Sequence, residues 1–409
     1  MEKHYNLMDE KYSERIKQVP RSFIRDILKV ASSPDIISFA GGLPNKKYFP
    51  VAELTESTAR VMRTHSSTAL QYSLTNGLPE LREIISSFYQ NQGLNIPIEN
   101  ILITTGSQQG LDLIGKTFIN ENDVVLLEEP SYLGAIQAFS MYRPNFKAIE
   151  LQSDGINIDK WEDSVINDNP KFTYAIPNFQ NPTGISYCLL KRKQMAEKAI
   201  VNNTLIIEDD PYGRIRFSGE HLPNIYSFAP NNTILLGSFS KTIVPGFRLG
   251  WIIANKNIIQ KLEVAKQAAD LHTDVFVQHI VIDFLKQNDI NIHLQKIIKA
   301  YKAQADTICM AMGTHFPSSF KFTEPQGGMF TWVTMTKNYS SLKVFDEARK
   351  KGVAFVPGVP FYIDKKDTNT MRLNFSCTEP DIINEGIKRI AEAIFEMSYL
   401  PDQYKLTVE

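Results

Sequence analysis

Gly237-Ser238-Phe239-Ser240-Lys241-Thr242, continued by Pro245-Gly246-Phe247-Arg248-Leu249-Gly250-Trp251, is the stretch on which the reading of this chain turns. An apolar run, residues 233–236, ends in small hydroxyl-bearing residues, then one lysine, then an arginine seven positions on. A lysine amine attacks a carbonyl only when its pKa is lowered, and two serines with an arginine are ligands for an anion. The same string also describes an exposed Ser/Lys loop with an unrelated arginine, so its meaning depends on what accompanies it.

Short apolar runs of the same kind recur at residues 101–105, 123–127, 172–176, 204–207 and 250–253. Helical patterns, such as 108–118 and 191–201, separate many of them, which is the signature of a largely parallel sheet covered by helices. The predicted fold is α/β: a mostly parallel central sheet with helices on both faces, plus a smaller α+β domain. Residues 21–31 carry Phe23, Ile24, Ile27 and Leu28 at helical spacing, and residues 36–44 read as a strand breaking into a Gly/Pro loop. Residues 275–312 read as one long helical stretch, followed by strand-like runs at 330–334, 354–356 and 371–375 and one more helix. The expected division is an N-terminal arm (1–50) shared with the small domain and the substrate site, a large cofactor-binding domain (51–285) and a small C-terminal domain (286–409).

Composition narrows the function classes. Forty-four basic and 45 acidic side chains leave a formal net charge of −1, so no global basicity points to nucleic acid or a membrane surface. No apolar run approaches the roughly 18 residues of a membrane span. Cys188, Cys309 and Cys377 are scattered without metal-ligand spacing, which argues against a disulfide framework or a cysteine-rich metal site and fits a reducing compartment. The first residues are charged and lack the apolar core of a signal peptide, so a cytoplasmic protein with a small-molecule partner is expected.

In open α/β sheets ligands gather at the carboxyl ends of strands, and four more of these runs end in polar punctuation. Gly106-Ser107-Gln108-Gln109-Gly110 opens a helix, where free amides and the helix dipole suit a phosphate, or where the serine is simply a cap. Glu128-Glu129-Pro130-Ser131-Tyr132 presents an aromatic ring that either stacks on a ligand or packs in the core. Pro177-Asn178-Phe179-Gln180-Asn181-Pro182-Thr183-Gly184 is strong turn chemistry that also aims the Asn181 amide at the ligand edge. In Glu208-Asp209-Asp210-Pro211-Tyr212-Gly213 a carboxylate directly beyond a buried strand needs a cation, and a protonated ring nitrogen would serve. Taken in order, these groups supply what pyridoxal 5′-phosphate requires: a reactive lysine, an acidic partner for the pyridinium and phosphate ligands.

At this point the chain resembles the class I/II pyridoxal-phosphate aminotransferases of fold type I, and within them the 2-aminoadipate/kynurenine aminotransferase II group. The resemblance runs from about Ser22 to Ser376 and rests on AGGLP (40–44), LQYS (70–73), GSQQG (106–110), NFQNPTG (178–184), EDDPYG (208–213), GSFSK (237–241) and RLGW (248–251). It implies that Lys241 condenses with the cofactor and moves the proton, that Asp209 pairs with the ring nitrogen, and that Asn181 and Tyr212 bond the ring oxygen. Tyr132 would stack on the ring, while Ser107, Gln108, Ser238, Ser240 and Arg248 would hold the phosphate. Tyr72 resembles the tyrosine that reaches the neighbouring subunit's phosphate, which implies a homodimer with shared sites. Arg372 matches the arginine that grips the substrate α-carboxylate, with Asn181 and Gly42 beside it. Ser22-Phe23-Ile24-Arg25 resembles a mobile helix whose arginine meets a distal carboxylate; by itself, Arg25 also fits a solvated helix face. Phe23 departs from the Pro or Thr frequent in relatives.

The implied reaction moves the amino group of an L-amino acid (2-aminoadipate, kynurenine, aromatic or aliphatic) to a 2-oxo acid, with 2-oxoglutarate the implied acceptor, by ping-pong kinetics. Two alternatives share the motifs: a β-lyase or decarboxylase on the same fold, and a regulator that uses the fold as a sensor. The latter carries a winged helix-turn-helix, for which some twenty residues before Ser22 leave little room.

Overall fold

The computed structural model describes residues 11–17, 27, 33 and 35–398. Its strands, in chain order, are β1 (Ile37–Ser38), β2 (Ile101–Thr104), β3 (Val124–Glu129), β4 (Asn145–Gln152), β5 (Gly155–Ile156), β6 (Phe172–Ala175) and β7 (Ile206–Asp209). They continue as β8 (Thr233–Ser238), β9 (Gly250–Ile253), β10 (Lys321–Phe322), β11 (Phe330–Thr334), β12 (Val353–Ala354), β13 (Val356–Pro357) and β14 (Thr370–Asn374).

Eight of them form one sheet in the order β2-β9-β8-β7-β6-β3-β4-β5. β4, β3, β6, β7 and β8 run parallel to one another, whereas β9 is antiparallel to both β8 and β2, and β5 is antiparallel to β4. Every residue of β2, β6, β7, β8 and β9 is buried, as a sheet covered on both faces requires. Strand alternation divides the core accordingly. Leu126, Ala175 and Ile206 pack with Trp161 and Met195 of helices Ile158–Asp168 and Leu189–Val201. Val125, Leu127, Phe172 and Ile207 face the other layer, with Leu111 and Ile114 of helix Gly106–Phe118. This is the α/β arrangement that the apolar runs predict.

The smaller sheet, β10-β11-β14-β13, is antiparallel and lies in the C-terminal part of the chain with helices Ser341–Lys350 and Pro380–Ser398. β1 pairs in parallel with β12, through Ile37 with Val353, and so ties the segment before residue 50 to this region.

Two expectations need correction. The stretch 275–312 is two helices, Val275–Gln287 and Ile290–His315, because Asp289 caps the second by accepting from the Asn291 amide at 2.8 Å. The C-terminal part holds two further helices rather than one. β4 is half-exposed and carries Asn145, Lys147 and Glu150, so its apolar signal is weak. The helix expected at 21–31 lies outside the described residues except for Ile27, which is helical and buried.

Candidate active site

β2, β3, β6, β7 and β8 point the same way, and the polar segments that follow them meet at one sheet edge. They line a cavity of ≈ 660 Å³ together with the 40–44 turn and Arg372 of β14. Lys241 leaves the end of β8 and donates from Nζ to the Gly42 carbonyl at 2.7 Å. Loss of solvation pushes its pKa down to about 8, with Cys377 opposing the shift and Arg372 and Arg248 adding to it. A lysine bonded to a carbonyl, with no carboxylate among the described residues to hold its charge, keeps its amine available.

Asp209 is the last residue of β7 and is 2 % exposed. The Tyr174 hydroxyl of neighbouring β6 donates to its Oδ2 at 2.8 Å, while Oδ1 has no partner among the described residues. Burial raises its pKa to about 7; the Tyr174 bond works against this, and Asp210 and Glu128 add to it. A carboxylate so placed is electrostatically incomplete without a cation in the cavity.

The same cavity is lined by groups suited to an anion. Ser238 Oγ accepts from the Ser240 amide at 3.0 Å, and Arg248 Nη1 donates to Ser240 Oγ at 3.3 Å. Arg248 sits at φ +49°, a left-handed conformation that turns its guanidinium back over the start of helix Gly106–Phe118. A Cβ on Gly106 would come within 2.6 Å of Arg248 Nη2, so only glycine admits this approach. Ser107 Oγ lies 3.4 Å from the Gly237 carbonyl, and Gln108 Nε2 bonds the Gly134 carbonyl at 2.9 Å. Gly134 also makes room for the Tyr132 ring, which a Cβ there would meet at 2.5 Å.

Arg372 closes the third side. Its Nη1 donates to Asn181 Oδ1 at 2.8 Å and Nη2 to the Ala40 carbonyl at 2.7 Å, leaving the buried Nε without a partner among the described residues. Its plane lies over Phe330 at 4.4 Å and Phe361 at 5.1 Å from the ring centroids. Desolvation lowers its pKa to about 10, still far above neutrality, so the guanidinium remains a cation. Asn181 Nδ2 reaches the Tyr212 hydroxyl at 3.5 Å.

Of the residues singled out by the sequence, Gly42, Ser107, Gln108, Tyr132, Asn181, Asp209, Tyr212, Ser238, Ser240, Lys241, Arg248 and Arg372 all line this cavity. Tyr72 does not: it is 79 % exposed and lies edge-on to His272 in a separate surface cleft. Arg25 lies outside the described residues. The sequence reading missed Tyr174, Phe330 and Phe361, which are aromatic residues in apolar strands and turns and so read as core. It also missed Glu128, whose two oxygens accept from Tyr187, Ile176 and Gln180. Gln180 in turn accepts from the amide and hydroxyl of Thr183, which holds the turn that presents Asn181. Only the carboxylate's position at a strand end could have signalled it. Among the described residues no cluster of His, Cys, Asp and Glu could hold a metal, and no helix is long and apolar enough to cross a membrane.

A buried amine, an unpaired carboxylate, an anion-binding turn and a desolvated guanidinium around one cavity define a site for amine and carbonyl chemistry on a charged ligand. The profile of aminotransferase class I and II matches residues 35–390, and the chain belongs to that family and is an aminotransferase. It is 41% identical over 396 residues to "Aromatic-amino-acid aminotransferase 1" of Thermococcus litoralis, covering 95% of each chain. It is 38% identical to a "2-aminoadipate transaminase" of Thermus thermophilus, over 94% of this chain and 96% of the relative. Among solved structures, an alpha-aminoadipate aminotransferase from Thermus thermophilus complexed with N-(5′-phosphopyridoxyl)-L-leucine superposes with a TM-score of 0.89. That structure is 36% identical, with 95% of this chain and 98% of the other covered.

Proposed function

We propose that this chain is a pyridoxal-phosphate-dependent aminotransferase acting on 2-aminoadipate, kynurenine, aromatic or aliphatic L-amino acids, with 2-oxoglutarate as acceptor. The observation that carries the reading is the pairing of opposite deficits in one cavity. Asp209 Oδ1 lacks a cation, while Arg248, Ser238, Ser240 and the helix start at Gly106 face the same space as a cluster of anion ligands. A molecule with a basic ring nitrogen at one end and a phosphate at the other satisfies both. When bound, the cofactor supplies a carbonyl carbon for the amino group and a ring that withdraws electrons from the substrate Cα.

The chain's own residues do the rest. Lys241, with its pKa lowered to about 8, holds a substantial neutral fraction near that pH and moves a proton at the substrate Cα. Asp209 keeps the ring nitrogen protonated, because an ionised carboxylate in this site gains a partner only if that nitrogen carries its charge. Asn181 Nδ2 and the Tyr212 hydroxyl would donate to the bound cofactor, and Tyr132 would supply its stacking face. Arg372 has five N–H groups and uses two on Asn181 and Ala40, so the remainder can grip an α-carboxylate in bidentate fashion. With a single carboxylate grip, amino donor and oxo acceptor must take turns, and ping-pong kinetics follow.

Leu43, Leu133 and Phe361 line the same cavity and offer an apolar wall to an aromatic or aliphatic side chain. A distal carboxylate would call on Arg25. The resemblance further supports a homodimer in which Tyr72 reaches the neighbouring site, a cytoplasmic location, and a division into arm (1–50), large (51–285) and small (286–409) parts. Incubating the protein with pyridoxal phosphate, 2-oxoglutarate and a panel of amino acids tests the reading. Glutamate should form with at least one aromatic donor or with 2-aminoadipate. Release of carbon dioxide, or of ammonia with a β-leaving group, in place of glutamate would convert it to a decarboxylase or β-lyase.

A further inference from the structure

Behind the anion-binding turn lies a second buried lysine that the proposed reaction does not use. Lys266, on helix Lys256–Gln267, has a side chain that is 0% exposed. Its Nζ donates to Asp270 Oδ1 at 2.8 Å and Oδ2 at 3.0 Å, and to Gln109 Oε1 at 2.9 Å. Gln109 completes the ring by donating from Nε2 to Asp270 Oδ2 at 2.5 Å. Its Oε1 also accepts the backbone amide of Thr105 at 2.8 Å.

The consequence falls on Thr105, the N-cap residue of helix Gly106–Phe118. A threonine here normally turns its hydroxyl oxygen onto the amides of the second and third helical residues, here Ser107 and Gln108. Thr105 makes no such bond; its hydroxyl donates instead to Asp270 Oδ2 at 3.2 Å. Asp270 therefore diverts the cap. The first-turn amides, which no intrahelical carbonyl can satisfy, keep their donor capacity for an outside anion.

Resting on the proposed cofactor, we propose that Asp270, Lys266 and Gln109 form a positioning device that keeps this helix N-terminus uncapped for the phosphate. Asp270 is a positioning residue: it acts through Thr105 on the amides that meet the ligand. The three side chains also satisfy one another, so the device holds its shape with no ligand bound.

The test is an epistasis experiment on the apoprotein. Dissociation constants for pyridoxal 5′-phosphate are measured by absorbance titration, and those for inorganic phosphate by competition. Lys266→Met/Asp270→Ala removes the pair without leaving a charge buried alone, and should weaken both ligands about tenfold, the scale of one competing cap. Adding Thr105→Val to that background removes the competing hydroxyl and should restore both to within about threefold of wild type; Thr105→Val alone should change them by less than about twofold. Lys266→Met/Asp270→Leu, which keeps the volume and removes the acceptor, repeats the logic where the first double variant does not fold: weaker binding, again rescued by Thr105→Val. A merely structural role for the pair predicts no rescue. Equal weakness with and without Thr105→Val, or no weakening at all, overturns the proposal while leaving the cofactor assignment standing. Wild-type protein that binds no pyridoxal phosphate overturns both.

Discussion

Two Lys–Asp settings in this chain are built in opposite ways. Lys266 and Asp270 face each other, with Gln109 and Thr105 closing the ring, and every charge has its counterpart. Burial pushes the Asp270 carboxyl up, but the bonds from Lys266, Gln109 and Thr105 outweigh it and hold the carboxyl below its usual range. Lys241 and Asp209 line one cavity without pairing: the lysine bonds the Gly42 carbonyl and the aspartate is held by the Tyr174 hydroxyl. Burial then dominates, with only Cys377 opposing it at the lysine and the Tyr174 bond at the aspartate, bringing the lysine down to about 8 and the aspartate up to about 7. A closed pair is structure; a pair kept apart is chemistry waiting for a ligand.

Breaking the open site should cost most. Lys241→Ala should abolish transamination, by more than about 10⁴-fold, and remove the visible absorbance of the bound cofactor; retention of either would contradict the assignment. Arg372→Lys should lower kcat/KM for amino donors by roughly 10²-fold, mainly through KM, because a lysine cannot reproduce the planar bidentate grip. Initial-rate kinetics would show this, and an unchanged KM would place the α-carboxylate elsewhere.

The pH dependence of kcat should rise with pH through about 8, since Lys241 works as the neutral amine once substrate has taken its place on the cofactor. Arg372→Leu removes a cation that lowers that pKa and should move the rising limb to higher pH. The smallest expected effect is on the stability of the apoprotein. The folded pKa of Asp209, about 7, exceeds its ordinary value of 3.8, so the folded state holds this proton more tightly. Its penalty is absent below the lower value, grows as pH rises between the two and is complete above about 7. Asp209→Asn should therefore stabilise the apoprotein by about 1–3 kcal/mol at pH 8 and by much less at pH 4, a contrast that denaturant titrations at both values would reveal.

The strand ends were legible because a buried parallel strand is a short apolar run, and any polar residue just beyond it stands out. Asp209, Asn181, Ser238 and Lys241 all stand at such ends. Tyr174 was not legible: it alternates with Thr173 inside β6 and looks like any core aromatic until β7 brings Asp209, two residues beyond its register partner Ile207, within reach of its hydroxyl. The break at Asp289 was hidden for a related reason, since apolar periodicity continues on both sides of the cap. Gln109 and Asp270, which are 161 positions apart, carry no common local signal.

By itself, then, the sequence determined the class of fold, the lysine, its acidic partner residue and the anion-binding turns, because each is encoded within a few residues of a strand end. Tertiary structure alone decided what each lysine meets: the buried Lys266 is given a carboxylate, and the half-buried Lys241 is given the Gly42 carbonyl in its place. Charge state depends on what lies within a few ångströms in space, and that neighbourhood is assembled from residues far apart in the chain.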